Sequence, residues 1–230
     1  IAVLKLVEQM ALAAKIKVVS MAPTIELVAA GLTAWKQNGD TIFRTTLDGQ
    51  VANKSIALDI LDNKKPISEE ILEEAREMID FVSSTLMMKT LAGKSVNDFH
   101  KSIYTAIQNE EGQLFSIGLL IYLPSVYKML KDQASIDAQT NEHKYESKSL
   151  GLPGTKVVLD FTPIRVRSLS DYNAYSVYGK DGEGNLISFM TASKKLCEGG
   201  RIKGKVKSSG IDQYNMNAMV TRLNYVKAVA

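Results

Sequence analysis

The chain has 230 residues, 45% of them hydrophobic and 23% charged, with a net charge of +3. Such values describe an ordinary globular protein with room for one good core or two small ones, and they exclude a disordered chain. The longest apolar run, Leu114 to Leu123, is about half the ~20 residues that a membrane-spanning helix needs, so no membrane partner is expected.

The opening stretch lacks the basic start, short apolar core and cleavage site of a secretory signal, and a chain that opens on Ile1 is expected to be a trimmed piece of a longer one. From Ala2 to Ala14 and from Pro23 to Trp35 the pattern predicts helices. Between Thr41 and Leu61 it stays open: Thr and Ile favour strand, while Asp48, Gly49 and Asn53 interrupt it. Pro66, Ile67 and Ser68 then supply an N-terminal cap, followed by Glu69 and Glu70 in the first turn and apolar residues at helical spacing to Val82. Gly93 lies where that helix should stop. A further helix is predicted from Ser95 to about Gly112, with Val96, Phe99, Ile103 and Ile107 on one stripe. After Pro124 a short helix gives way to the polar stretch that begins at Asp132, expected to be a linker.

Beyond Gly154 the period changes from helical to alternating. One long strand bent at Pro163 is predicted first, then Tyr172 to Tyr178, a turn at Asp181 to Asn185, and Leu186 to Thr191. A short helix fits within Ala192 to Gly200, followed by strands over Arg201 to Lys207 and Met219 to Val229, with a long loop over Ser208 to Asn217. The expected fold class is α+β: a helical N-terminal region (1–131, divisible into 1–62 and 63–131), a linker (132–154) and a five-stranded OB-type barrel (155–230).

Charge follows the same division. From Thr155 onward twelve Lys/Arg face six Asp/Glu, a balance of +6, which leaves −3 for the rest. In the fourth barrel strand Arg201, Lys203, Lys205 and Lys207 alternate with Ile202, Gly204 and Val206, so four cations share one face. That ridge can follow a phosphate backbone. Its bland counterpart is a solvated strand whose lysines guard an exposed edge. Aromatic rings on which bases could stack include Tyr172, Tyr214 and Phe189, the last equally suited to filling the barrel. Arg165, Arg167 and Arg222 complete the candidate nucleic-acid-binding set.

Other apparent motifs dissolve on inspection. Gly199 to Lys205 fits the phosphate-loop spacing, but Val206 replaces the hydroxyl and a strand follows where a helix must begin. Asp181 to Asn185 resembles half a calcium loop, yet Leu186 stands where glycine is needed, so a hairpin is expected. Cys197 is alone and precludes an intrachain disulfide, and its presence as the sole cysteine fits a reducing, cytoplasmic compartment. With only His100 and His143 beside it, no metal, cofactor or catalytic constellation is expected, and the protein is not expected to be an enzyme.

The runs Gly154 to Leu159 (GTKVVL), Tyr178 to Asn185 (YGKDGEGN), Leu186 to Ser193 (LISFMTAS), Gly204 to Lys207 (GKVK) and Thr221 to Lys227 (TRLNYVK) resemble the C-terminal OB-type domains of phage-encoded replication-associated proteins. The segment Ser95 to Tyr127, with Asn97-Asp98-Phe99 and Gly118 to Pro124 (GLLIYLP), is similar to the helical piece that often precedes them. The resemblance implies nucleic-acid handling in phage replication or recombination, in the host cytoplasm, and supports Phe189, Lys205 and Lys207 as site residues. It departs at Met190, where relatives often carry a second aromatic, and at Tyr225, where they often carry a basic residue. The leading expectation is an accessory protein that binds single-stranded DNA, or alternatively RNA, whose helical region contacts a replication or recombination protein or forms a homo-oligomer. The alternative is a structural or adaptor module whose barrel docks on protein, since the fold alone cannot decide.

Overall fold

In the computed structural model, residues 21–47, 49–113 and 116–229 are described. The helix predicted at Ala2 to Ala14 lies outside them. The chain divides into two compact units, residues 1–131 and 132–230. Among the described residues no helix is long and apolar enough to cross a membrane.

The first unit is built on α1 (Thr24–Gln37), whose Leu27, Val28, Leu32 and Ala34 are all but inaccessible to water. Only a helix apolar on nearly every side can be central in this way. At Gly31 a β-carbon would stand 3.2 Å from the Ile121 Cα, so the missing side chain sets how closely these backbones approach. Around α1 lie α2 (Asn53–Asp62), α3 (Glu69–Leu91), α4 (Asp98–Ile107), the single turn α5 (Ile117–Leu120) and the first turns of α6 (Leu123–His143). A small antiparallel pair, β1 (Met21–Pro23) with β2 (Glu111–Gln113), closes the unit.

Sequence logic holds at the start and end of α3: Ser68 Oγ accepts from the Ile71 N–H at 3.4 Å, and Gly93 takes the left-handed φ of 67° just past the helix end. For α4 the cap is Asn97, not Ser95; Asn97 Oδ1 accepts from the His100 N–H at 2.8 Å, and the helix stops at Ile107 because Glu111 to Gln113 are drawn into β2. The open segment Thr41 to Leu61 resolves into an irregular loop and α2, organised by Asn53. This side chain is fully buried. Its Oδ1 accepts from the Phe43 N–H at 2.7 Å and from Asn38 Nδ2 at 2.9 Å, while its Nδ2 donates to Thr41 O at 3.1 Å. Asn53→Ala should therefore leave the Phe43 N–H and Thr41 O without this partner and destabilise the unit by about 1–2 kcal/mol. Urea unfolding followed by the emission of Trp35, the only tryptophan, should show the lower midpoint.

The second unit is a closed five-stranded mixed barrel of β3 (Lys156–Leu169), β4 (Ala174–Asp181), β5 (Leu186–Thr191), β6 (Gly200–Asp212) and β7 (Ala218–Ala228), joined in the order β3-β4-β5-β7-β6 and back to β3. All pairs are antiparallel except β5 with β7. The order, the bent first strand and the short 3-10 turn Lys194–Cys197 between the third and fourth strands are compatible with the OB type. The bend falls at Pro163, where the register shifts against β4. Opposite it, Gly179 leaves space that a side chain could not share: a β-carbon there would lie 2.2 Å from Thr162 O and 2.7 Å from the Phe161 ring. Phe161, Val177, Ile187, Phe189, Ile202, Val206 and Leu223 fill the interior.

Three expectations change. The long loop over Ser208 to Asn217 is mostly strand: β6 runs on to Asp212 and pairs with β7 down to Asp212 opposite Ala218, leaving a tip at Gln213–Asn215. Ladder hydrogen bonds override the polar composition of Ser208, Ser209 and Gly210. The polar stretch from Asp132 is not a free linker, because α6 continues to His143 and the residues after it bind the barrel. Phe189 points inward, into the core between the strands.

Candidate nucleic-acid interface

On β6 the alternation is realised: Arg201, Lys203, Lys205 and Lys207 are exposed, whereas Ile202, Gly204 and Val206 face the interior. Pairing extends the ridge sideways. Lys205 stands opposite Lys156 of β3, and Lys203 opposite Lys227 of β7, each of them exposed. Neighbouring cations along a strand are roughly 6.6–6.8 Å apart, and adjacent strands about 4.7–4.9 Å apart, so six positive charges occupy one patch. Asp160, opposite Arg201, is the acid on this face, and among the described residues none of the six cations is in an ion pair. Lys156 and Lys227 are the members that sequence reasoning missed. Their alternation was visible, but which strands lie beside β6 depends on the closure of the barrel.

The other candidates divide between this patch and the far ends of the strands. Arg222, opposite Ser208, is exposed and approaches the Asp212 carboxylate at 3.5 Å. At the tip between β6 and β7, Tyr214 is 91% exposed, and its N–H donates to Asp212 Oδ1 at 2.9 Å. Arg165 of β3 reaches the same tip: its Nη2 donates to Asn215 Oδ1 at 3.1 Å, and its guanidinium lies 5.4 Å from the centre of the Tyr178 ring. That arginine is largely engaged in holding the tip. Arg167 and Tyr172 are exposed, the latter in the 3-10 turn Ser170–Tyr172 that links β3 to β4.

Phe189 does not belong to the interface. It is 4% exposed and meets Phe161 edge-on inside the barrel, with ring centres 5.1 Å apart, so no base can reach it. The outer face of β4 and β5, which in OB barrels commonly binds oligonucleotides, is also largely taken up. By register Tyr178 and Leu186 lie on that face, yet both are buried. The end of α6 and the turn after it reach them. Tyr178 Oη donates to Thr140 Oγ1 at 3.3 Å, Lys180 Nζ lies 2.7 Å from His143 Nε2, and Ser147 Oγ accepts from the Leu186 N–H at 2.8 Å while donating to Met219 O at 2.7 Å. Burial pushes the Tyr178 phenol above its ordinary value, in keeping with a group enclosed away from ligand.

The rejected motifs have plain structures. Asp181 Oδ1 accepts from the Glu183 and Asn185 N–H groups at 2.9 and 2.8 Å, which makes the segment a hairpin turn. Burial, with Glu198 beside it, pushes the Cys197 thiol up and away from thiolate chemistry. Among the described residues no group of three His, Cys, Asp or Glu side chains could hold a metal ion.

The chain is thus an α+β protein with a helical unit and a closed, mixed five-stranded barrel carrying a cationic face. Comparison with protein-family models, with curated proteins and with solved structures yields no match.

Proposed function

We propose that the barrel binds single-stranded nucleic acid, DNA foremost, along the face of Arg201, Lys203, Lys205, Lys207, Lys156 and Lys227. The observation that carries this reading is the pairing of like charges across both sides of β6: Lys156 with Lys205 and Lys203 with Lys227. Like charges directly opposite one another destabilise a sheet, by amounts of the order of 0.2–1 kcal/mol per pair. Lysines that merely guard an edge have no work here, because β6 is paired on both sides and the barrel has no open edge. A polyanion laid along the face relieves the repulsion, and the release of its counterions adds to the driving force. The helical unit is read as the part that meets a replication or recombination partner; Met87, Met88 and Leu91, exposed near the end of α3, support an apolar contact there.

Fluorescence anisotropy of labelled oligo-dT tests the reading. If six phosphates are neutralised, log affinity should fall against log salt with a slope of about −4, a loss of a few hundredfold between roughly 50 and 200 mM. Duplex DNA should compete poorly, and oligo-U shows whether RNA is accepted. Absence of binding even at low salt overturns the proposal and leaves the barrel as a protein-docking module.

A further inference from the structure

Tyr225 is the one non-glycine residue within a strand that takes a positive φ, at 54°, among the described residues. A bulky side chain in the left-handed region is an outlier, and such outliers persist where the surroundings impose them and cluster at functional sites. The cause here is a β-bulge. Between the Lys203–Lys227 and Lys205–Asn224 pairs, β6 has one residue and β7 has two. Leu223 and Val226 both pack on the barrel interior although they are three positions apart, so Asn224 and Tyr225 are both turned outward. The extra outward residue is an aromatic ring, 79% exposed, set between the rows of Lys203 and Lys205. Gly204 completes the arrangement, since a β-carbon there would crowd Asn224 O and Val226 Cγ2 at 3.3 Å.

We propose that Tyr225 is the base-stacking platform of the cationic face: the lysines hold the phosphates while an unpaired base lies on the exposed ring. This inference rests on the nucleic-acid reading of that face and adds to it the ring that would favour single strands over duplex, whose bases are already stacked. The bulge re-aims the side chain out of the alternation, which explains why a tyrosine occupies a backbone position that asparagine or glycine would fill without strain.

The test compares Tyr225→Asn, which suits the left-handed backbone, with Tyr225→Phe and Tyr225→Trp, with thermal melting to verify that each variant folds. Tyr225→Asn should lower oligo-dT affinity about 10-fold with little change in salt slope, while Tyr225→Phe stays within about twofold. Affinity for inorganic polyphosphate, which has charge but no bases, should be unaffected by Tyr225→Asn. In Tyr225→Trp, added oligo-dT should quench emission beyond any change from Trp35 alone. Unchanged oligo-dT affinity in Tyr225→Asn, with the unsubstituted protein binding in a salt-sensitive way, overturns the platform and leaves the charged face standing. Failure of the unsubstituted protein to bind overturns both.

Discussion

Phe189→Ala is expected to destabilise the barrel by about 3–5 kcal/mol, the range for removing a buried aromatic ring and leaving a cavity. The ring is 4% exposed, packed edge-on against Phe161, and on the same inward face as Val177 across β4 and Leu223 across β7. Because a domain's whole stability is of the order of 5–15 kcal/mol, the loss should lower the barrel's melting temperature by more than about 12 °C. Phe189→Leu, which keeps much of the volume, should recover most of it. Circular dichroism melts decide the matter. Were Phe189→Ala to melt like the unsubstituted protein yet bind oligo-dT less well, the ring would be acting at the surface after all.

The second large effect is on binding with stability spared. In Lys203→Glu/Lys205→Glu two attractions to phosphate become repulsions, and oligo-dT affinity should fall roughly 100- to 1000-fold at low salt, or about 2.7–4 kcal/mol. The magnitude of the salt slope should shrink by about 0.7 for each phosphate that is no longer neutralised. The same substitutions place glutamates opposite Lys227 and Lys156, turning two repulsive cross-strand pairs into attractive ones, so the melting temperature should hold or rise. Lys54→Glu/Lys128→Glu makes the same change in net charge on exposed helical positions and should leave binding nearly intact. Equal losses in both double variants would mean that overall charge, not this face, attracts the ligand.

Much of the barrel was legible because a period of two is a local property. The ridge on β6 follows from seven consecutive residues, and the bend at Pro163 and the turn at Asp181 follow from the chemistry of proline and of an Asp-Gly turn. What escaped depends on distant partners. Leu186, Ile187 and Phe189 are all buried in β5, so the strand shows no clean alternation, and Phe189 could face either way by pattern alone. Leu186 breaks the pattern because the turn after α6 meets its outer face. α6 itself runs further than its apolar pattern suggests: Thr140 and His143 at its end meet the barrel with polar side chains, a weak signal by hydrophobicity. Asn53 is a similar case. From sequence it interrupts a strand; in the fold its amide binds three groups of the loop before it. Lys156 and Lys227 join the face through register alone, and the bulge at Tyr225 has no sequence signature, since asparagine or glycine would have advertised it and tyrosine conceals it.

Ser147 bears on where the barrel can be cut. Its hydroxyl joins the Leu186 N–H to Met219 O, the Lys148 N–H is received by Asn185 Oδ1, and Val206 donates its N–H to Thr155 O while its own carbonyl accepts from the Gly154 N–H, across that boundary. An excised piece opening at Thr155, where the alternating pattern begins, would keep all five strands and still expose Tyr178 and leave the Leu186 amide without its acceptor. The smallest autonomous version of this domain is therefore expected to start near Asp132, with the end of α6 and the turn after it acting as a built-in cover over Tyr178 and Leu186 on one wall of the barrel.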